Sequence, residues 1–228
     1  MTTTTRPRSD FARTATVAAL VATPALTAVS VLLQPDLGGS STDRLAALAD
    51  GPLPAVSAVA FLLSQLPMLV AIIGVGRMLR DRAPRLSAWG TSLGVLGAFG
   101  HTVFGGMSLV YLVMARDPGA RATYAGLLDH LESTPVMLFA VAGTAGTVLG
   151  LLLLSIGLFR TRTGPRWVGP VLWAFLVVEY VGTGLSASAA YLSLLCFAAA
   201  FLALARQVAT DPGARAAADE PAAAPALG

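Results

Sequence analysis

Leu86–Ala115 reads LSAWGTSLGVLGAFGHTVFGGMSLVYLVMA, about thirty residues with no formal charge and one histidine, His101, in the middle. A helix rises about 1.5 Å per residue, so the run exceeds the ~20 apolar residues that cross a hydrocarbon core of about 30 Å. Gly90, Gly94, Gly97, His101, Gly105 and Ser108 follow one another at intervals of four, three, four, four and three. Those intervals keep them on one helical face, with the histidine inside a glycine stripe. Small residues let membrane helices approach closely, so this face is expected to look into a bundle and not at lipid.

The rest of the chain fits that setting. Of 228 residues, 55% are hydrophobic and 12% charged, where a soluble domain carries roughly 25% charged residues. Mean hydropathy is +0.73 and the isoelectric point about 9.6. All fifteen basic residues are arginines. They lie at helix ends and form no basic face, so nucleic acid is not an expected partner. No Walker P-loop is present, so no nucleotide is expected either. Cys196, the single cysteine, lies in an apolar run, which reads as a buried structural thiol and rules out an intramolecular disulfide.

Read in order, residues 1–13 are polar, without hydrophobic periodicity, and are expected to be a disordered cytoplasmic segment. A transmembrane domain over 14–205 follows, and the alanine- and proline-rich 206–228 is expected to be a disordered cytoplasmic tail. The membrane helices are Thr14–Leu33, kinked at Pro24, then Pro52–Gly76, Leu86–Ala115, Thr134–Phe159, Trp167–Leu185 and Ala189–Ala205. The first is too long for a signal-peptide core of ~7–15 residues and has no clean cleavage site. Between the first two, DRLAALAD predicts a short surface helix capped by Ser41 or Thr42. Twelve of the fifteen arginines fall on the side shared by both termini. The positive-inside rule puts that side in the cytoplasm and requires an even number of crossings. The expected fold is therefore an all-α polytopic membrane bundle of six transmembrane helices with N- and C-termini cytoplasmic. A shift of 81 residues also superposes Pro54 on Pro135, Gly76 on Gly157, Pro84 on Pro165 and Arg85 on Arg166, the pattern of a parallel repeat.

Thr134-Pro135, the run Gly150-LLLLSI-Gly157-LF-Arg160 and Pro165-Arg166-Trp167 together resemble a pattern in uncharacterised small six-helix integral membrane proteins of actinobacteria. So does the acidic outer loop with its short leucine-rich segment. The resemblance implies a bacterial cell membrane location and no particular reaction. No catalytic residue carries over from it.

Ionisable side chains inside a membrane helix are costly and mark candidate sites. His101 and Glu179 are the two clear cases, and Gln65 is a polar companion. Counted from the cytoplasmic helix ends, His101 and Glu179 lie about 22 and 18 Å deep at ~1.5 Å per residue, so they are expected to be level with each other. One reading makes them catalytic, an acid/base pair acting on a lipophilic substrate such as an isoprenoid. The other makes them a buried hydrogen bond that fixes helix register. Phe99, Phe104, Phe175 and Tyr180 are near enough in sequence to line such a pocket, with Gln65, Tyr180 and Phe104 the expected ligand contacts. One histidine and one glutamate supply at most two ligands where a catalytic zinc takes three, so no metal is expected. Bis-histidine haem would need a second membrane histidine, and His130 is in a loop; no cofactor is expected. Asp129, His130 and Glu132 alternate with leucines, as in an amphipathic segment lying on the bilayer. Trp89 and Trp167 read as interface anchors and Trp173 as packed inside. The expected function is a transporter-like or accessory membrane subunit binding an apolar ligand or partner, with the lipid bilayer around it. A carrier of six helices is expected to work as a homodimer or with a membrane partner.

Overall fold

The computed structural model describes residues 6–131, 134–135, 137–186 and 188–210. Eight α-helices account for most of them: α1 (Arg6–Leu33), α2 (Ser41–Leu48), α3 (Leu53–Leu79), α4 (Pro84–Ala115), α5 (Arg121–Leu131), α6 (Met137–Thr161), α7 (Val168–Val177) and α8 (Ala189–Thr210). A single π turn, Val178–Gly182, continues α7. Among the described residues there is no strand, so the fold is all-α. Five helices are long and apolar enough to cross a membrane, namely Phe11–Leu33 of α1 together with α3, α4, α6 and α8. The apolar Val168–Gly182 is shorter.

These six segments close into a ring. α1 packs on α3, α3 on α4, α4 on α6, α6 on α7, α7 on α8, and α8 returns to α1. Lipid tails are as apolar as leucine, so close packing has to hold such a ring together. Its tightest seam is α4 against α6, where a Cβ on Gly146 would fall 2.6 Å from the Gly97 nitrogen. One on Gly150 would fall 2.5 Å from the Gly94 nitrogen. The two backbones touch, and only glycine permits it. The stripe read from the sequence lies in the angle between two neighbours: Gly94 also meets Ile72 of α3, and Gly105 meets the Phe61 ring.

Both turns rich in arginine lie at one end of the ring, where Arg82 donates to Thr163 Oγ1 at 3.2 Å. These two residues are 81 apart, the interval of the sequence repeat. The second half departs from the first, because α4 runs unbroken while its counterpart stops after the π turn. Arg13 of α1 donates to the Val208 carbonyl at 3.0 Å and also to that of Ala209. The last carbonyls of a helix lack partners of their own, and a cation suits them.

That clasp bears on a correction. Residues 6–13, read as disordered from their polar composition, belong to α1, and α8 likewise runs on through 206–210. The contact holding α1 joins positions 195 apart and has no local signature. Residues 1–5 and 211–228 of the expected disordered segments lie outside the described residues. Pro24 sits inside a continuous α1.

At the opposite end α2 and α5 lie together. Leu45 of α2 packs with Ala115, Ala125 and Leu128, and Ser41 donates to Asp129. α5 therefore rests on a neighbouring helix, where the alternating leucines suggested a segment lying on the bilayer; Glu132 is outside the described residues. The cap of α2 is Ser40, one residue before the expected Ser41 or Thr42, because Ser40 makes the reciprocal capping box with Asp43. Its hydrogen bonds hold the Asp43 carboxyl below its ordinary pKa. A folded-state value below the unfolded one means the contribution is present at neutral pH and fades as pH falls through the folded value. Ser40→Ala is expected to raise the Asp43 titration midpoint, read by carboxyl-carbon NMR, and to fray α2.

Candidate functional site

α1, α3 and α6 each pass through three layers. Towards the arginine-rich end the ring is filled: Leu20, Ile72, Leu79, Leu154, Leu158, Leu172, Phe201 and Leu204 form one buried apolar cluster. Above that plug the filling stops, and a chamber of about 110 Å³ opens between the helices. His101, Gln65 and Glu179 all line it, as does Tyr180. The depth argument from sequence is thus matched by position: three polar groups from α3, α4 and the π turn face one space. Phe175 lines it too, whereas Phe99 lies outside it, paired edge-on with Phe139 at 6.3 Å.

Phe104 lies elsewhere. Three residues beyond His101 along α4, it lines a second cavity at the α2–α5 end, of about 410 Å³. Arg44, Gln34, Ser108 and Tyr111 line the same vestibule. The expected grouping of Phe104 with Tyr180 and Gln65 is corrected accordingly, since ~1.5 Å per residue carries a side chain out of the chamber within a turn.

His101 and Glu179 are not joined by a hydrogen bond or ion pair. Glu179 takes its hydrogen bond from Ser193 of α8, whose hydroxyl donates to Oε2. Ser193 is almost fully buried, at 1% exposure, so this donor is held in place by packing. The His101 ring tilts over Phe61 with centroids 6.0 Å apart, and its Cδ2 edge lies against Gly143. Gln65 spends its amide donors on the Phe61 carbonyl at 3.2 Å and Ser64 Oγ at 3.1 Å. Thr23 and Thr27 return their hydroxyls to carbonyls of their own helix at 2.7 and 2.9 Å, so they offer the chamber mainly methyl surface. Apolar walls come from Phe61, Met68, Phe175 and Phe197.

Two of these features escaped the sequence. Ser193 reads as one serine in an apolar run, and nothing local ties it to a residue 14 positions earlier. The π turn carrying Glu179 widens the helix by one residue, a distortion frequent at functional sites. Trp173 is half-buried, its indole N–H donating to Ser155 Oγ at 2.8 Å, while Trp89 and Trp167 are exposed. Cys196 is half-buried against the apolar cluster. Among the described residues no three His, Cys, Asp or Glu side chains gather as a metal site would require.

The arrangement can accept and donate hydrogen bonds to a small polar group while enclosing an apolar body. No family model matches this chain, and no curated protein or solved structure does so either.

Proposed function

We propose that the protein is a six-crossing integral membrane protein of the bacterial cell membrane. In this reading it is a transporter-like or accessory subunit that binds an apolar ligand with a polar end in the mid-membrane chamber. The observation carrying the binding reading is the convergence of His101, Gln65 and Glu179 on one chamber walled by Phe61, Met68, Phe175 and Phe197. Polar and ionisable side chains inside a bilayer are costly, so a chamber that gathers three of them is a candidate site.

Six crossings with both termini cytoplasmic are supported by the Arg13 clasp between α1 and the end of α8. The Arg82–Thr163 bond between the two arginine turns supports it too. Val168–Gly182 serves as the short fifth crossing, and ~1.5 Å per residue leaves the thinner bilayer span that hydrophobic mismatch tolerates. The resemblance to small six-helix membrane proteins of actinobacteria agrees with this topology. A homodimer or membrane partner completes the carrier.

A second reading, an intramembrane enzyme on a lipophilic substrate, is favoured by one observation. His101 and Glu179 face the same space without neutralising each other, which leaves both for a substrate proton.

The test is native mass spectrometry of detergent-purified wild type, His101→Ala and Glu179→Gln. Wild type is expected to carry a lipophilic adduct that both variants lose while remaining folded. Wild type without an adduct, together with two variants that unfold, would make the polar groups structural and sink the proposal. An adduct appearing in chemically altered form only in wild type would favour the enzyme.

A further inference from the structure

The polar side chains of the chamber are unevenly spent. Thr23 and Thr27 donate to carbonyls of their own helix, and Ser64 donates to the Phe61 carbonyl at 2.6 Å. The Gln65 amide gives its two hydrogens to the Phe61 carbonyl and Ser64 Oγ, and Ser193 gives its own to Glu179 Oε2. These groups have turned their donors into the protein, and what they leave over is acceptors. A carboxylate has room for about four hydrogen bonds on its two oxygens, and Ser193 is the one side chain that donates to Glu179. The Gln65 amide oxygen is left as well.

Charge follows the same pattern. His101, Glu179 and Tyr180 are the titratable groups that line the chamber, and no arginine lines it. Glu179 makes no ion pair among the described residues. A carboxylate withdrawn from water is costly without a counter-charge. Rings from four elements face the same space: Phe61 of α3, Phe175 of α7, Tyr180 of the π turn and Phe197 of α8. Phe175 and Phe197 stand side by side, with centroids 4.9 Å apart and planes tilted by 37°. Aromatic faces attract cations. Size narrows the class further. The chamber, at about 110 Å³, is smaller than the ~150 Å³ cavity that takes up benzene, so it encloses about six non-hydrogen atoms at most.

From these observations we infer that the ligand of the chamber is a compact alkylammonium. Its N–H groups donate to Glu179 and to the Gln65 oxygen, and its carbon skeleton lies against Phe175, Phe197 and Met68. The inference rests on the chamber being a binding site, as proposed above, and names the class of molecule it takes. A hydrogen bond from a cation to a carboxylate is about twice as strong as one between neutral groups, so the amine outcompetes an alcohol of the same size. An anion meets the Glu179 carboxylate and finds the donors already committed.

The class is tested with cyclopentylamine, cyclopentanol and cyclopentanecarboxylate, which share a ring and carry a positive, a neutral and a negative head at neutral pH. Each is titrated by calorimetry into detergent-purified wild type and Glu179→Gln, with thermal melts to show that both are folded. In wild type the amine is expected to bind at least about tenfold tighter than the alcohol, as a charge-assisted bond requires. In Glu179→Gln the amine is expected to lose at least about tenfold while the alcohol changes little. If Glu179→Gln fails to fold, Glu179→Asp takes its place and is expected to keep the preference for the amine. An alcohol bound as tightly as the amine, or a preference for the acid, overturns the ammonium class and leaves the chamber a binding site. An amine preference that survives Glu179→Gln places the cation elsewhere and overturns it too. Where none of the three binds, a lipophilic adduct on wild type in native mass spectrometry means that the class alone fails. No binding and no adduct means that the class and the binding reading fail together.

Discussion

Gly100→Ala is expected to lower the melting temperature in detergent by roughly 5–10 °C, corresponding to the ~1–3 kcal/mol of an overpacked contact. A Cβ there would fall 2.5 Å from the Gly143 nitrogen and 2.6 Å from both the Gly143 Cα and the Phe139 oxygen. All three obstacles are backbone atoms, so no rotamer change relieves the clash. α4 and α6 must separate, which also loosens the Gly97–Gly146 and Gly94–Gly150 contacts on the same seam. The control is Gly106→Ala, on the same helix with nothing within 4 Å of the added methyl. It is expected to be neutral or stabilising, because alanine outranks glycine in helix propensity by about 1 kcal/mol. Equal losses for the two variants would mean that glycine matters here for flexibility and not for contact.

The second large effect concerns the chamber. Ser193→Ala removes the donor to the Glu179 carboxylate and is expected to cost about 1–3 kcal/mol, the penalty of a charged group left without its partner. Glu179→Gln is expected to hold stability or raise it, since a neutral amide still accepts from Ser193 and avoids placing a charge in the membrane. In the Glu179→Gln background the cost of Ser193→Ala should shrink by about 1 kcal/mol or more, the non-additivity of two residues in contact. Thermal melts of the four proteins give the cycle directly. Additive penalties would mean that Ser193 stabilises by packing alone and that its bond to Glu179 is incidental.

The same residues explain what the sequence made legible. Charge-free runs and the glycine interval of Leu86–Ala115 are properties of one helix, and they mark both the membrane class and the tight face. Counting residues from the helix ends brought His101, Gln65 and Glu179 to one depth, and that depth is where the chamber opens. Phe104 failed the same test because proximity in sequence was allowed to stand for proximity in height. The π turn Val178–Gly182 was hidden because a shift in hydrogen-bond register leaves no mark on composition. Arg13 of α1 reaches a carbonyl near the end of α8, a contact with no local pattern in the sequence. Ser193 and Phe61 act through partners on other helices, and an apolar run gives a lone serine or phenylalanine nothing to distinguish it.

The most direct measurement is an experimental structure of wild type in lipid nanodiscs at a resolution that separates ligand from side-chain density. The account predicts density in the chamber with a polar end within hydrogen-bonding reach of Glu179 or His101 and an apolar body along Phe175 and Phe197. A chamber collapsed onto its own side chains, with Glu179 turned out to the lipid and Phe61 packed where the free space stands, would contradict it.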